Sequence, residues 1–409
     1  MAIQGLRDTT NFVTDQRPKN WREGIMLLYP NGTAPLFALS SMMKSAGSDD
    51  PEYNWWEKDL AARTLLLTTT ITAGTTSLAF SGGGAKFYKE GDLFFVPGTA
   101  EIVQVSQDPV SDTALSVLRG AAGSTAAAVT LTVTGENPMF THIGSAYEEG
   151  SLSPTGIGYD PTKLYNYTQI FRDSLEATRT AMKTRLRTGD SVKEAKRECL
   201  ETHSIGIERA FWFGKRSESV KNGKPIRTTG GVLSQIPAGN VLTPASAVNG
   251  LEMQELEVMM ASIFAKGSSE KMVFSGNLFM LGIQQAIRKN TAYQFMSGQK
   301  EFGMNVSRLV SPFGELILKT HPQFNQMPGG TSGTTPGPYY GVNSWGFVLD
   351  MANIRYRYVN GDDTRYEAEL QQQGMDGKKS GYLTECGLQL EHASTHFVIK
   401  NVVKGKADA

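Results

Sequence analysis

Cysteine is almost absent: Cys199 and Cys386 are the only two in 409 residues. That excludes a disulfide-built scaffold and leaves no Cys-x-x-Cys to open a zinc site. An excess of one charge is missing too, since 40 Lys and Arg stand against 40 Asp and Glu. A dedicated nucleic-acid binder needs a surplus of cations to neutralise phosphates, and this chain has none. The same neutrality removes the self-repulsion that keeps soluble subunits apart, so association is not discouraged. No run approaches the ~18 apolar residues that span a bilayer, and Met1-Ala-Ile-Gln-Gly-Leu-Arg-Asp8 carries no apolar signal core. We therefore expect a cytosolic chain without a membrane anchor. Catalytic fingerprints are also lacking: there is no phosphate-binding P-loop, no Gly-x-Gly-x-x-Gly after a strand and no Gly-x-Ser-x-Gly elbow.

What remains is a globular composition, 40% hydrophobic and 20% charged, on a chain long enough for two or three domains. The five histidines form no tight cluster. His392 and His396 would face one side of a strand and, with Glu391 or Cys386, could hold a metal; satisfied strand histidines are the stronger reading. Cys199 and His203 fall four residues apart on an apolar helical stripe. A Cys–His nucleophile is conceivable there, but packing residues are expected. Six cations, Lys183, Arg185, Arg187, Lys193, Lys196 and Arg197, stand against Asp190 and Glu194. They read as a solvated face or inter-subunit salt contact, or as an inner-face patch turned toward nucleic acid. Trp55-Trp56 reads as a hydrophobic anchor. No catalytic residue, cofactor or metal ligand is expected.

The organisation changes along the chain. Residues 1–57 read as an extended arm, because Pro18, Pro30, Pro35 and Pro51 interrupt short apolar bursts. An arm containing Trp21, Leu28, Tyr29, Phe37, Trp55 and Trp56 has to pack against its own body or a neighbour. From Thr64 to Thr134 charge falls away and short β-type runs recur between turns, which reads as an inserted small barrel or sandwich. Ile170, Phe171, Leu175, Met182 and Leu186 suit one helical face. A second helix is expected over 191–213, opened by the capping box Ser191-Val-Lys-Glu194 and stopped by a left-handed Gly214. At 23 residues it spans roughly 35 Å. Residues 215–245 look loop-rich. Helices are expected from Asn249 to about Lys266 and from Asn277 to Ile287, with a strand at 271–274 between them. A hairpin turns at 311–314, a surface loop fills 322–343, and the C-terminal third reads as strands.

These pieces, in this order, resemble the major capsid proteins of tailed bacteriophages, a shell fold shared with encapsulins and herpesvirus capsid floors. Five segments carry the likeness: Tyr53-Asn-Trp-Trp-Glu-Lys-Asp59; Asn166-Tyr-Thr-Gln-Ile-Phe171 leading to 191–214; Arg227-Thr-Thr-Gly-Gly231; Trp345–Met351 followed by Ile354–Tyr358; and Tyr382-Leu-Thr-Glu385 before His396. The resemblance implies an α+β fold with an N-terminal arm (1–57) and an extended loop (58–150) carrying the β-rich insertion (64–134). A peripheral domain (151–226) holds the spine helix 191–213. An axial domain (227–345) follows, and return strands (346–409) complete both. It implies self-assembly as hexamers and pentamers into an icosahedral head that encloses double-stranded DNA, touched only weakly and non-specifically. Portal, scaffolding and decoration proteins are the implied partners, with assembly in the host cytoplasm and residence in the virion. With about 50 residues before Tyr53, an internal scaffold is not expected. An encapsulin-like compartment, another virion shell or tail part, and an α/β enzyme with scattered site residues are the alternatives.

Overall fold

The computed structural model describes residue 39 and residues 43–58, 63–130, 139–184, 191–245, 251–288, 295–301, 304–326, 341–359 and 363–402. In chain order the strands are β1 (Lys44–Ser48), β2 (Glu52–Glu57), β3 (Thr64–Leu66), β4 (Ser77–Ala79), β5 (Asp92–Val96), β6 (Glu101–Val105), β7 (Ala114–Leu118), β8 (Met139–Ser145), β9 (Thr162–Tyr167), β10 (Gln169–Thr178), β11 (Ser217–Lys221), β12 (Lys224–Thr228), β13 (Val241–Leu242), β14 (Glu270–Ser275), β15 (Phe295–Glu301), β16 (Met304–Ser311), β17 (Gly314–Thr320), β18 (Gly346–Leu349), β19 (Ile354–Val359), β20 (Arg365–Glu367), β21 (Gly377–Leu390) and β22 (Phe397–Ile399). The helices are α1 (Arg179–Lys183), α2 (Ser191–Phe213), α3 (Val232–Gln235), α4 (Met253–Ile263), α5 (Asn277–Arg288) and α6 (Pro322–Asn325). They divide into two units, one of residues 56–163 and one of all the rest.

The smaller unit is a barrel. Its strands run in the order β3-β8-β5-β6-β7-β4. A bridge between Leu67 and Phe80, with Thr68 N–H donating to Ala79 O and Ser81 N–H to Leu66 O, joins β4 back to β3. Among the described strands, closure leaves no open edge. Alternate residues point inward, so Phe94, Val96, Val103, Val105, Leu115, Val117 and Phe140 fill the interior. The expected boundary at Thr134 needs correction: β8 lies beyond it, between β3 and β5. Two inward residues of the barrel are acidic, Asp92 and Glu101. Glu101 is fully buried and receives Arg119 Nε at 2.8 Å, Arg119 Nη2 at 2.7 Å, and the N–H groups of Gly120 and Ala127. Burial alone would raise its pKa, but the Arg119 hydrogen bond and the two backbone donors outweigh it and hold the carboxyl below its usual range.

The larger unit is built on two sheets with α2 between them. One sheet runs β13-β22-β18-β14-β17-β16-β15, and the other runs β1-β19-β21-β10 with β20 also on β21. The central strands of the first are buried on both faces, and their residues alternate between two cores. Met272, Phe274, Ile317, Phe347, Leu349 and Val398 meet Ile207, Phe211 and Trp212 of α2. Val273, Leu316, Leu318, Val348, Phe397 and Ile399 pack under α4 and α5. Ile354, Cys386, Leu388 and Leu390 of the second sheet join α2 from the opposite side. Lys271 is buried as well. Its ammonium donates to the carbonyls of Ile263, Lys266 and Thr395, which closes the C-terminal end of α4. Burial pushes its pKa down to about 8 although Asp350 opposes the shift.

Several sequence expectations change. The stretch from Ile170 is the strand β10, followed by the short α1, with Leu186 outside the described residues. Its exposure alternates along the whole strand, with Phe171, Asp173, Leu175 and Ala177 turned inward. A polar Asp173 on the inner face hid the period of two. Residues 217–228 are a hairpin whose turn, Asn222-Gly223, has both φ angles positive (53° and 73°), as that dipeptide favours. The region 322–343 opens with a buried turn, since Pro322, Gln323 and Phe324 of α6 enter the core, while 327–340 lie outside the described residues. The end of the arm belongs to the body: Leu39 and Met43 join the α2 core and β1 pairs in parallel with β19.

Gly214 is not left-handed. A Cβ there would fall 2.4 Å from Ala210 O and 2.6 Å from Thr229 O, so the glycine serves close backbone approach. Removing the buried cation from the barrel, Arg119→Ala, should cost about 3–5 kcal/mol. Hydrogen exchange should then speed up across β5–β7 while β14 and β18 keep their protection.

Candidate assembly surface and the joint beneath it

Three of the segments singled out in the sequence, those holding Tyr53, Asn166 and Gly230, converge in space. Asn166, at the end of β9, is buried and spends its amide fully. Its Nδ2 donates to Gly230 O at 3.0 Å and to Leu388 O at 2.7 Å, and its Oδ1 accepts from Tyr167 N–H and Gly230 N–H, each at 2.8 Å. Gln169 accepts from Thr229 N–H, and the Thr229 hydroxyl accepts from Leu388 N–H. Tyr53 of β2 lies against the backbone of Gly387, where a Cβ would fall 2.6 Å from the phenol oxygen. Four stretches far apart in sequence are thus pinned at one joint, mostly through main-chain atoms.

A cleft of about 350 Å³ opens over this joint, lined by Trp55, Tyr165, Asn166, Lys215, Arg216 and Gln235 among others. Arg216 stacks 4.0 Å from the centre of the Tyr165 ring and donates to the Tyr165 carbonyl. Trp55 is half-buried, stacked on Tyr53, while Trp56 is 65% exposed. An indole that open on a strand is unsatisfied apolar surface. Trp21, Leu28, Tyr29 and Phe37 lie outside the described residues.

The cationic cluster is only partly placed. Lys193, Lys196 and Arg197 share one face of the first turns of α2, and Lys183 ends α1; Arg185 and Arg187 lie outside the described residues. Lys196 stands 4.7 Å over the Tyr366 ring and Arg197 pairs with Glu201 at 3.2 Å.

Cys199 and His203 do not form a nucleophile pair. His203 is fully buried, with Nδ1 2.7 Å from Asp173 Oδ2 and Nε2 2.8 Å from Thr384 Oγ1, so it ties α2 to β10 and β21. It is buried, as expected of a packing residue, and it is a polar tether as well. Cys199 is half-buried, and burial first, then Asp173, raises its thiol pKa. Cys386 lies in the apolar core, its thiol pushed up to about 12 mainly by burial. Nor do His392 and His396 share a strand face. His392 has a positive φ of 47° at a turn, and His396 precedes β22. His396 Nδ1 accepts from Asp350 N–H and its Nε2 donates to Glu391 O, each at 3.2 Å, so the ring is neutral.

Glu208 escaped the sequence reading. Its Oε1 accepts from Leu39 N–H at 2.8 Å, Trp212 Nε1 at 3.1 Å and His321 Nε2 at 3.1 Å. Gln323 N–H donates to the other His321 nitrogen, which fixes the tautomer. One buried carboxylate therefore joins the end of the arm, α2 and the loop after β17. The sequence signal was a Glu inside an apolar stripe, one turn before a Trp.

Asn166→Ala should destabilise the larger unit by at least about 2 kcal/mol, because several buried backbone groups lose partners; chemical denaturation reads this directly. Burial chiefly depresses His396 to about 4 from 6.5. Its contribution to stability is thus complete above pH 6.5 and falls as pH drops toward 4, by about 3 kcal/mol in all. Urea titrations between pH 7 and 4 should show the gap between the native chain and His396→Gln closing over that window.

The family model described as SU10 major capsid protein matches residues 6–403. The major capsid protein of Pseudomonas phage PaMx41 is 25% identical over 371 residues, covering 89% of this chain and 84% of that one. Among solved structures, the capsid of an empty GTA particle aligns with 95% of this chain and 96% of its own at a TM-score of 0.46 and 9% identity. Mycobacterium phage Bobi aligns over 96% and 97% at a TM-score of 0.44 and 7% identity. The family match bears out the resemblance read from the five segments: this chain belongs to the SU10 major capsid protein family and is a structural major capsid protein of a phage.

Proposed function

We propose that the chain builds a closed icosahedral head from hexamers and pentamers of itself, enclosing phage double-stranded DNA. The observation that carries this reading is the family match over residues 6–403. Physical features support it. Rings that join other rings into a shell need contacts within each ring and different contacts between rings. The chain offers exposed Trp56, the cleft beside Trp55, and long strands at sheet margins for such contacts. In this reading residues 1–57 are the arm and 58–150 the extended loop that carries the barrel. Residues 151–226 form the peripheral domain with α2 as its spine, 227–345 the axial domain, and 346–409 the return strands. Trp21, Leu28, Tyr29, Phe37, Trp55 and Trp56 make inter-subunit contacts. Lys183, Arg185, Arg187, Lys193, Lys196 and Arg197 face the packaged DNA, which a neutral chain holds only loosely. Portal, scaffolding and decoration proteins join the same shell, assembled in the host cytoplasm.

Sedimentation and electron microscopy of the expressed chain, with and without its phage's other head proteins, test this. Closed particles are expected; a stable monomer under every condition contradicts it. Trp56→Ser isolates the contact role. Because the indole is exposed, its loss should change thermal stability by no more than ~0.5 kcal/mol while sharply lowering the fraction of chains that sediment as particles.

A further inference from the structure

Strand β10 is the margin of its sheet. β21 carries β10 along one side and β19 and β20 along the other. Among the described residues, no strand and no backbone hydrogen bond occupies the outer edge of β10. Its ten residues are extended, roughly 33 Å of strand, with half of the main-chain N–H and C=O groups pointing outward. Natural proteins cover, shorten or pair an edge of that length.

The sequence of this edge is complementary to itself. One face carries Phe171, Asp173, Leu175 and Ala177 toward α2; the other carries Ile170, Arg172, Ser174, Glu176 and Thr178 outward, with Ile170 60% exposed. Pair two such strands antiparallel about Ser174 and Arg172 of each stands opposite Glu176 of the other, with Ile170 opposite Thr178. Moving the centre to Asp173 or Leu175 loses both charge pairs. Within one chain Glu176 already faces Lys379, and Arg172 reaches Glu367 at 3.5 Å. The second strand would place a further opposite charge beside each, so that signs alternate across the sheet.

We propose that the outer edge of β10 pairs antiparallel with the same edge of a second copy, centred on Ser174, and joins two subunits across a two-fold axis. Such a contact is isologous, so it links neighbouring rings and cannot link successive subunits of one ring. The proposal rests on the shell reading above and adds to it the strand, the register and the symmetry of one contact.

A single cysteine at the centre tests it. Opposed Cα atoms in an antiparallel pair lie about 4.5–5.5 Å apart, within disulfide range. In a Cys199→Ala background, Ser174→Cys chains should oxidise to a covalent dimer on a non-reducing gel, whereas Glu176→Cys chains should stay single. Particles that sediment normally but leave Ser174→Cys unlinked overturn the edge pairing alone, as does equal linking through Glu176→Cys. Chains that stay monomeric and unlinked overturn the shell reading as well. Charge reversal supplies the second arm. R172E and E176R should each lose particles, and the double variant R172E/E176R should recover them, because it restores both pairs across the axis. Within one chain the double variant sets Glu against Glu367 and Arg against Lys379; a double variant worse than either single one therefore overturns the proposal.

Discussion

Helix α2 has to satisfy two sheets at once, and the larger unit depends on that constraint. Its apolar residues Ile207, Phe211 and Trp212 meet both. Apolar packing is non-directional, and alone it would let a long helix slide or rotate between two greasy faces. Buried polar groups remove that freedom. His203 reaches Asp173 and Thr384 on one sheet, and Glu208 reaches His321 and the backbone of Leu39 on the other side. Each would be costly if unpaired, so only the seated register satisfies them.

This arrangement suits a shell subunit. The first half of α2 is half-buried to exposed, and burial deepens only from His203 onward. The body is thus pinned at the C-terminal end of the helix, where Gly214 and Gly231 let the chain turn against Ala210 and Phe211. The joint at Asn166 lies beside the same turn and collects β2, β9 and β21 there. Within the larger unit the edge of β10 is left outside this pinned region. A rigid body with contact-making margins can repeat one geometry many times.

The sequence was most legible where the determinants were local. The span 191–213 was readable because its apolar residues recur at three- and four-residue steps from Val192 to Phe211 and a glycine follows its end. The barrel strands showed through their alternation and their turns, although β8, after a gap, did not. Asn222-Gly223 is a local hairpin signal within the loop-rich composition of 215–245. β10 is ambiguous in sequence because Phe171 and Leu175 fit a helix as well as a strand, and only the partner, β21, decides between them. The polar pins were out of reach. Glu208 and Leu39 are 169 residues apart, and Asn166 and Leu388 are 222 apart, so neither pairing leaves a local pattern. The family likeness was legible because it lay in segments, three of which meet at the joint through Tyr53, Asn166 and Gly230.

The claim that α2 is locked to both sheets is tested most directly by native-state hydrogen exchange resolved along the chain. If the buried pins hold, the amides from His203 to Phe213 should exchange only through the same opening that exposes β14 and β21, with one free energy and one denaturant dependence for all three. If α2 exchanges through a smaller, local opening while either sheet stays protected, the helix is a loosely held strut and the account is wrong.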